Sequence, residues 1–275
     1  MDWGRAKSVL IISFLLLNVI LGYQLWLDMG ERLNTNVDLT DLPQETLRIM
    51  QEKDIRLTAS IPSETPKLSE LTFRYTTRAG LSDKIRLETP VNSRIAFYEG
   101  ELLEGLGSTI PDLELYRFDA PTRRDDAFVF HRLSDDGRPM FDVKLELYYS
   151  NQKIDAYRQD RIEIVASETE DEEGEEAGAA VLAASKAVAN LIENYLQAGS
   201  VIKEVRLGYH GQIFNSDDIQ AAEPAWRVLL EDGTIYYVNA ISGAVVTEGD
   251  AEEAESPEDG DSDGEDGIEA LDAAE

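Results

Sequence analysis

Residues 9–27 read VLIISFLLLNVILGYQLWL, with no charged side chain among them, and this run limits what the whole chain can be. Roughly 19 residues at 1.5 Å each make a helix about as long as the ~30 Å hydrocarbon layer of a bilayer. A cleavable export signal has a shorter apolar stretch followed by small residues. Here the bulky GYQLWLDMG follows, so the segment is expected to remain as a single transmembrane helix. Trp3 and Trp26 would lie about 34 Å apart along such a helix, one at each membrane interface. Arg5 and Lys7 precede the run, and Asp28 and Glu31 follow it. The excess of basic residues before it predicts a cytoplasmic N-terminus and an extracytoplasmic chain from about residue 28 onward. Trp3, Arg5, Lys7, Tyr23 and Trp26 are the expected interface anchors.

Asn18 stands near the middle of the run. At about 100° per residue, Gly4, Ser8, Ile11, Leu15, Asn18, Gly22 and Leu25 share one helical face, so small and polar side chains gather there. Small residues allow helices to approach closely, and an amide in hydrocarbon seeks a hydrogen-bond partner worth about 0.6 to 2 kcal/mol. Two readings follow from the residues alone: a plain anchor that tolerates one asparagine, or a contact face for another transmembrane helix.

The opening MDWGRAKSVLIISFLLLNVILGYQLW resembles the start of the YycI (WalI) family in its M-D-W-x-R-A-K head, its LLLNxxLGYQL run and its single-span layout. The resemblance implies a membrane-anchored regulator of the WalK/WalR (YycG/YycF) two-component system of Gram-positive bacteria. It implies that the helix contacts the spans of a WalK/YycG-type sensor histidine kinase, and that the protein pairs as a heterodimer with a YycH-like membrane protein. It favours the contact-face reading over the plain anchor.

The net charge of −30 would point to a disordered or self-repelling chain if it were evenly spread. It is not. SETEDEEGEE at 167–176 holds seven acids and residues 248–275 hold fourteen, with no base in either stretch. Without those 21, the remaining 34 acids face 25 bases, a mildly acidic body. No basic surface is concentrated anywhere, which argues against nucleic acid as a partner. There is no cysteine, so disulfides, thiolate catalysis and cysteine-ligated metals are excluded.

Beyond a stalk at 28–40, TDLPQETLRIMQEKDI predicts a helix. Thr40 or Asp41 would cap it, Pro43 would sit in its first turn, and Leu47 with Met50 would form its apolar side. IRLTASIP, LTFRYTT, RIAFYEG and LELYRF alternate or are β-branched and aromatic, as strands are. AFVFHRL, MFDVKLELYY and IDAYRQDRIEIVA, separated by polar turns, predict an antiparallel meander. These make a first α+β domain over 41–165. Residues 166–178 are an acidic linker or loop. A second domain over 179–247 begins with AAVLAASKAVANLIENYLQAGS, expected as one amphipathic helix burying Val181, Val188, Leu191, Ile192 and Tyr195 and ending at Gly199. Asp232-Gly233 predicts a tight hairpin, and Gly243 a turn or bulge. AWRVLLEDGTIYYVNAISGAVV resembles PepSY-like domains, in which a helix packs on an antiparallel sheet; core packing is the favoured role for Trp226. The fold class expected is α+β, with antiparallel sheets and packed helices outside the membrane. Residues 248–275 form an acidic tail. Its Asp259, Asp261, Asp263 and Gly264 start like a calcium loop, but position twelve is Ala270 and not the bidentate glutamate, so calcium binding there would be weak at best.

His131 and His210 fall in separate predicted strands, and no H-x-x-x-H or Walker-type loop occurs. No catalytic residue, metal ligand or cofactor site is expected. Three functions remain: a non-catalytic kinase regulator acting through helix contacts; a membrane-tethered PepSY-like binding or inhibitor module for a cell-wall ligand or protease; and a wall hydrolase using carboxylates. The first is the expectation.

Overall fold

The computed structural model describes residues 42–79, 83–165, 178–212 and 219–247, together with Phe14 and Asn18. Phe14 and Asn18 are helical and exposed. The rest of the expected membrane span, the stalk, residues 166–177 of the linker and the tail lie outside the described residues. Among the described residues no helix is long and apolar enough to cross a membrane.

The described part is mostly sheet with few helices, an α+β fold. Helix α1 (Gln44–Glu52) starts at Pro43, whose missing N–H costs nothing at a helix N-terminus, and no side chain caps it. It buries Thr46 and Met50, one turn apart. Strand β1 (Arg56–Leu57) follows, then β2 (Lys67–Leu68), β3 (Leu71–Thr77) and β4 (Ile85–Asn92). Helix α2 (Glu99–Leu106) leads through a short 3₁₀ turn to β5 (Tyr116–Arg123). The expected meander is present as β6 (Ala127–Leu133), β7 (Pro139–Ser150) and β8 (Lys153–Gln159). The strand expected to run on from β8 breaks at Asp160, and β9 (Arg161–Val165) pairs instead with β3.

The long helix expected after the linker is shorter. Ala179–Ala180 form strand β10, paired with β2, and helix α3 spans only Ala184–Asn194. Tertiary partners have claimed the intervening backbone. Val181 N donates to Pro66 O, Leu182 N donates to Ala240 O, and Leu182 O accepts the Trp226 indole N–H at 2.8 Å. A helix cannot hold those groups as well. Val181 is buried as expected, but Tyr195, beyond the helix end, is 47% exposed.

β11 (Val201–Gln212) and β12 (Ile219–Leu230) form the longest ladder, and β13 (Ile235–Asn239) returns through the expected Asp232-Gly233 turn, with Gly233 at φ +92°. β14 (Val245–Thr247) closes that edge after a turn at Gly243, φ +76°. The sheet is twelve-stranded, with its main path in the order β14-β13-β12-β11-β7-β6-β5. Its ladders are antiparallel except where β1 and β7 both join β11 in parallel.

Among the described residues, the two largest apolar cores are these. α1 and α3 cover one face of β11–β13, where Trp226, Val228 and Val238 meet Val188, Leu191 and Ile192. α2 covers the meander, where Leu102 and Leu106 meet Phe130, Leu145 and Leu147.

Candidate functional site

Alternation along β12 puts Trp226 and Arg227 on opposite faces. Trp226 is buried in the helix-covered core, in keeping with the favoured packing role. Arg227 is buried on the other face, 1% exposed. Its guanidinium forks onto Asp119 of β5, with Nη1 donating to Oδ2 at 2.8 Å and Nη2 to Oδ1 at 2.7 Å. Asp119 is equally buried. Glu204 of β11 also accepts from Nη2, and Arg206 Nη1 stands 3.5 Å from Asp119 Oδ1. The guanidinium plane lies over Phe141 of β7, 4.7 Å from the ring centroid.

Three strands separate β5 from β12 along the sheet. In a flat sheet with strands about 4.8 Å apart, those two would be about 19 Å from each other, beyond the joint reach of Arg and Asp. The ion pair therefore exists only because the sheet curls. The curl is built where β7 changes partners. β7 pairs with β6 through most of its length, but the register jumps between His131 and Arg132, and β7 meets β11 at Tyr209 and Met140 alone. Gly208 allows that crossing: a Cβ there would fall 2.4 Å from Pro139 O and 2.6 Å from the Phe141 ring.

Both histidines of the chain adjoin this junction. His131 Nε2 is 3.4 Å from Asp119 Oδ2 and 3.4 Å from Arg227 Nη1. Burial pushes the His131 imidazole below its ordinary value, an effect that Asp119 only partly offsets and Arg227 reinforces. The ring is neutral at pH 7, and the tautomer that suits a carboxylate carries its proton on Nε2. Nδ1 is then an acceptor without a partner among the described residues, as is the donor Nε of Arg227. His210 stacks on Tyr237, with centroids 3.9 Å apart, and Tyr237 in turn touches Phe141. His210 Nδ1 is 2.9 Å from Asp142 Oδ1, and Gly211 N–H donates to Asp142 Oδ2 at 2.6 Å.

Electrostatics fix the charge states. Burial pushes the Asp119 carboxyl up, but hydrogen bonds from His131 and Arg227, together with their proximity, outweigh it and hold the group far below the usual carboxylate range. Burial likewise pushes Arg227 down, and Asp119 with Glu204 more than reverse it. Asp142 is also held low: His210 and the Gly211 amide outweigh its burial. A permanently charged arginine and a permanently ionised aspartate have no proton to trade at neutral pH, and among the described residues no hydroxyl joins them. The arrangement is a fastener, with β5 on one side and β11 and β12 on the other.

Sequence reasoning placed His131 and His210 in strands but gave no reason for both to adjoin one site. It passed over Arg227 and Asp119. The available signal was a lone arginine inside the apolar run AWRVLL, since a charge there needs a buried counterpart. Of the expected contact face, Asn18 is helical and exposed. Gly4, Ser8, Ile11, Leu15, Gly22 and Leu25, with the anchors Trp3, Arg5, Lys7, Tyr23 and Trp26, lie outside the described residues. Among the described residues no cluster of three His, Asp or Glu side chains could hold a metal ion.

A family model described as YycI protein matches residues 102–241. No curated protein matches the chain. A crystal structure of an uncharacterized protein from Eubacterium rectale ATCC 33656 is 13% identical, over 57% of this chain, with a TM-score of 0.34. The chain spans about 60% of that protein's length.

Proposed function

Because the chain belongs to the YycI family, whose members are regulators associated with the WalK/YycG two-component system, we propose that it sets the state of such a sensor kinase through helix contacts in the membrane. The helix at 9–27 packs its Asn18 and Gly22 face on the kinase's spans, and the protein stands as a single-pass membrane protein with its folded part outside. A YycH-like partner pairs with that folded part. A regulator of this kind performs no chemistry: it shifts a two-state equilibrium by differential contact.

The observation that carries the reading is how the element nearest the proposed span is attached. α1 follows the stalk, and it is fastened to α3. Lys53 Nζ donates to Ile192 O and Leu196 O, at 3.1 and 3.2 Å, at the C-terminal end of α3. Thr46, fully buried, donates to Glu193. β1 then adds to β11, with Leu57 opposite Ile202. A partner bound to the α3–β11–β12 layer is therefore firmly connected to α1, the described helix that follows the stalk in sequence. That layer, one helix over an antiparallel sheet, also supports the PepSY-like reading of 179–247.

The test replaces residues 9–27 with an unrelated apolar helix of equal length and measures kinase output and co-purification of the kinase. Loss of both, with the outer part still folded, is expected. Unchanged output and co-purification would reduce the helix to an anchor.

A further inference from the structure

On the face of the meander that carries His131, a second ionic centre leads out to solvent. Glu146 of β7 is 3% exposed, and Arg124 and Arg158 reach its two oxygens at 2.7 and 2.8 Å. The Tyr148 hydroxyl donates to Glu146 as well. Burial first, then the bond to Glu146, push that phenol up to about 12, so it stays a donor and adds no negative charge. One carboxylate is thus met by two cations and a hydroxyl.

Above it, Lys84 Nζ sits 3.5 Å over the Tyr148 ring. Arg86 of β4 stands opposite Ala156 of β8 and has no carboxylate partner among the described residues. Lys84, Arg86, Tyr148, Asp155 and Ala156 line a cleft of about 450 Å³ that opens to solvent. Asp155 is already engaged by the Ser150 hydroxyl at 2.7 Å. In a chain of net charge −30, cations are the scarce resource, yet two of them face one cleft that holds a single carboxylate.

Their chemistry is complementary. A guanidinium fork takes a planar or tetrahedral oxyanion through two bonds, and an ammonium adds a point charge from another direction. The Tyr148 ring holds Lys84 in place by cation–π attraction, which lowers the ordering cost of binding. The ring edge and Ala156 leave an apolar floor for the body that bears the anion. We propose that the cleft between Lys84 and Arg86 binds an oxyanion, a carboxylate or phosphate carried on a small organic body. The long-range field of this chain repels anions, so affinity there comes from short-range contact.

The test uses the full chain in nanodiscs of a zwitterionic lipid, with lysine acetylation rates read residue by residue by mass spectrometry. Phosphate and N-acetylglycine are titrated separately, each against sodium chloride at matched ionic strength. Lys84 labelling should slow saturably with at least one of them, while Lys67, Lys153 and Lys186 keep their rates. Protection by phosphate alone assigns a phosphate-bearing ligand, by N-acetylglycine alone a carboxylate, and by both the shared oxyanion. In Arg86→Gln, the half-protecting concentration should rise about tenfold, the loss of one charge-assisted contact. No protection at Lys84, equal slowing at all four lysines, or an unchanged midpoint in Arg86→Gln would each overturn the proposal.

Discussion

Trp226 and Arg227 are neighbours on β12, and both are almost wholly buried, at 0% and 1% exposure. The physics that buries them is opposite. Trp226 lies in an apolar layer that α1 and α3 lay over the sheet, where transfer from water is favourable and non-directional. Arg227 lies in an ionic layer that the curled β5–β6 edge brings over the other face, where every gain depends on a particular partner. One face tolerates changes that keep volume; the other tolerates only changes made in pairs.

The sharpest way to break that contrast is to compare single and paired substitutions. Asp119→Ala strands Arg227 without its fork and should cost about 3 to 5 kcal/mol of stability. Trp226→Ala should cost a similar ~3 to 5 kcal/mol through the cavity it leaves. The rescues differ. Adding Arg227→Met to Asp119→Leu should bring stability back to near the parent value, as apolar replacement of a buried pair does, measured by denaturant unfolding of the full chain in micelles. Trp226→Phe should recover most of the loss at its own site without any partner change. If Asp119→Leu is no better tolerated with Arg227→Met than alone, the ionic layer is not a coupled unit.

A smaller effect tests the crossing that makes the ionic layer possible. Gly208→Ala drives a methyl into Pro139 O and the Phe141 ring, and should cost about 1 to 3 kcal/mol. Thermal unfolding checks it, and Gly100→Ala, where an added Cβ meets nothing within 4 Å, serves as the glycine control.

Acidity adds a third contrast, confined to the Arg227 face. His131 is held below its ordinary value when folded, so as pH falls through about 6.5 the unfolded chain takes up a proton that the folded one refuses. Stability from this group is full above that pH and is lost on acidification, with a slope of at most about 1.4 kcal/mol per pH unit. His131→Gln should flatten the decline between pH 6.5 and 5, while Asp119 contributes only below about pH 4. Equal slopes in the two proteins, from denaturation midpoints across that range, would remove His131 from the account. The smallest effect is on the Trp226 side: Lys53→Met should cost about 1 kcal/mol by freeing two carbonyls at the end of α3.

The same contrast explains what could be read from the sequence. Period and turn chemistry made the meander, the Asp232-Gly233 hairpin and the core role of Trp226 legible, because these follow from local rules. The start of α3 was not legible: AAVLAASKAVANLIEN looks helical throughout, but Pro66, Ala240 and Trp226 claim the backbone of residues 181 and 182 from far away in the chain. The parallel contacts of β1 and β7 with β11 were missed for the same reason. The ionic junction was the least legible feature. It joins Asp119 to Arg227 across a curl set by a register jump and a crossing, and neither leaves a pattern in the run of residues.

The central structural claim is that this junction makes segments 42–165 and 178–247 one cooperative unit. Native-state hydrogen exchange of the full chain tests it by following the amides of Leu145 on β7 and Val228 on β12 in the parent protein and in Asp119→Ala. The account predicts one shared opening free energy for both amides, and an equal fall at both when Asp119 is removed. A fall at one amide with the other unchanged would contradict it.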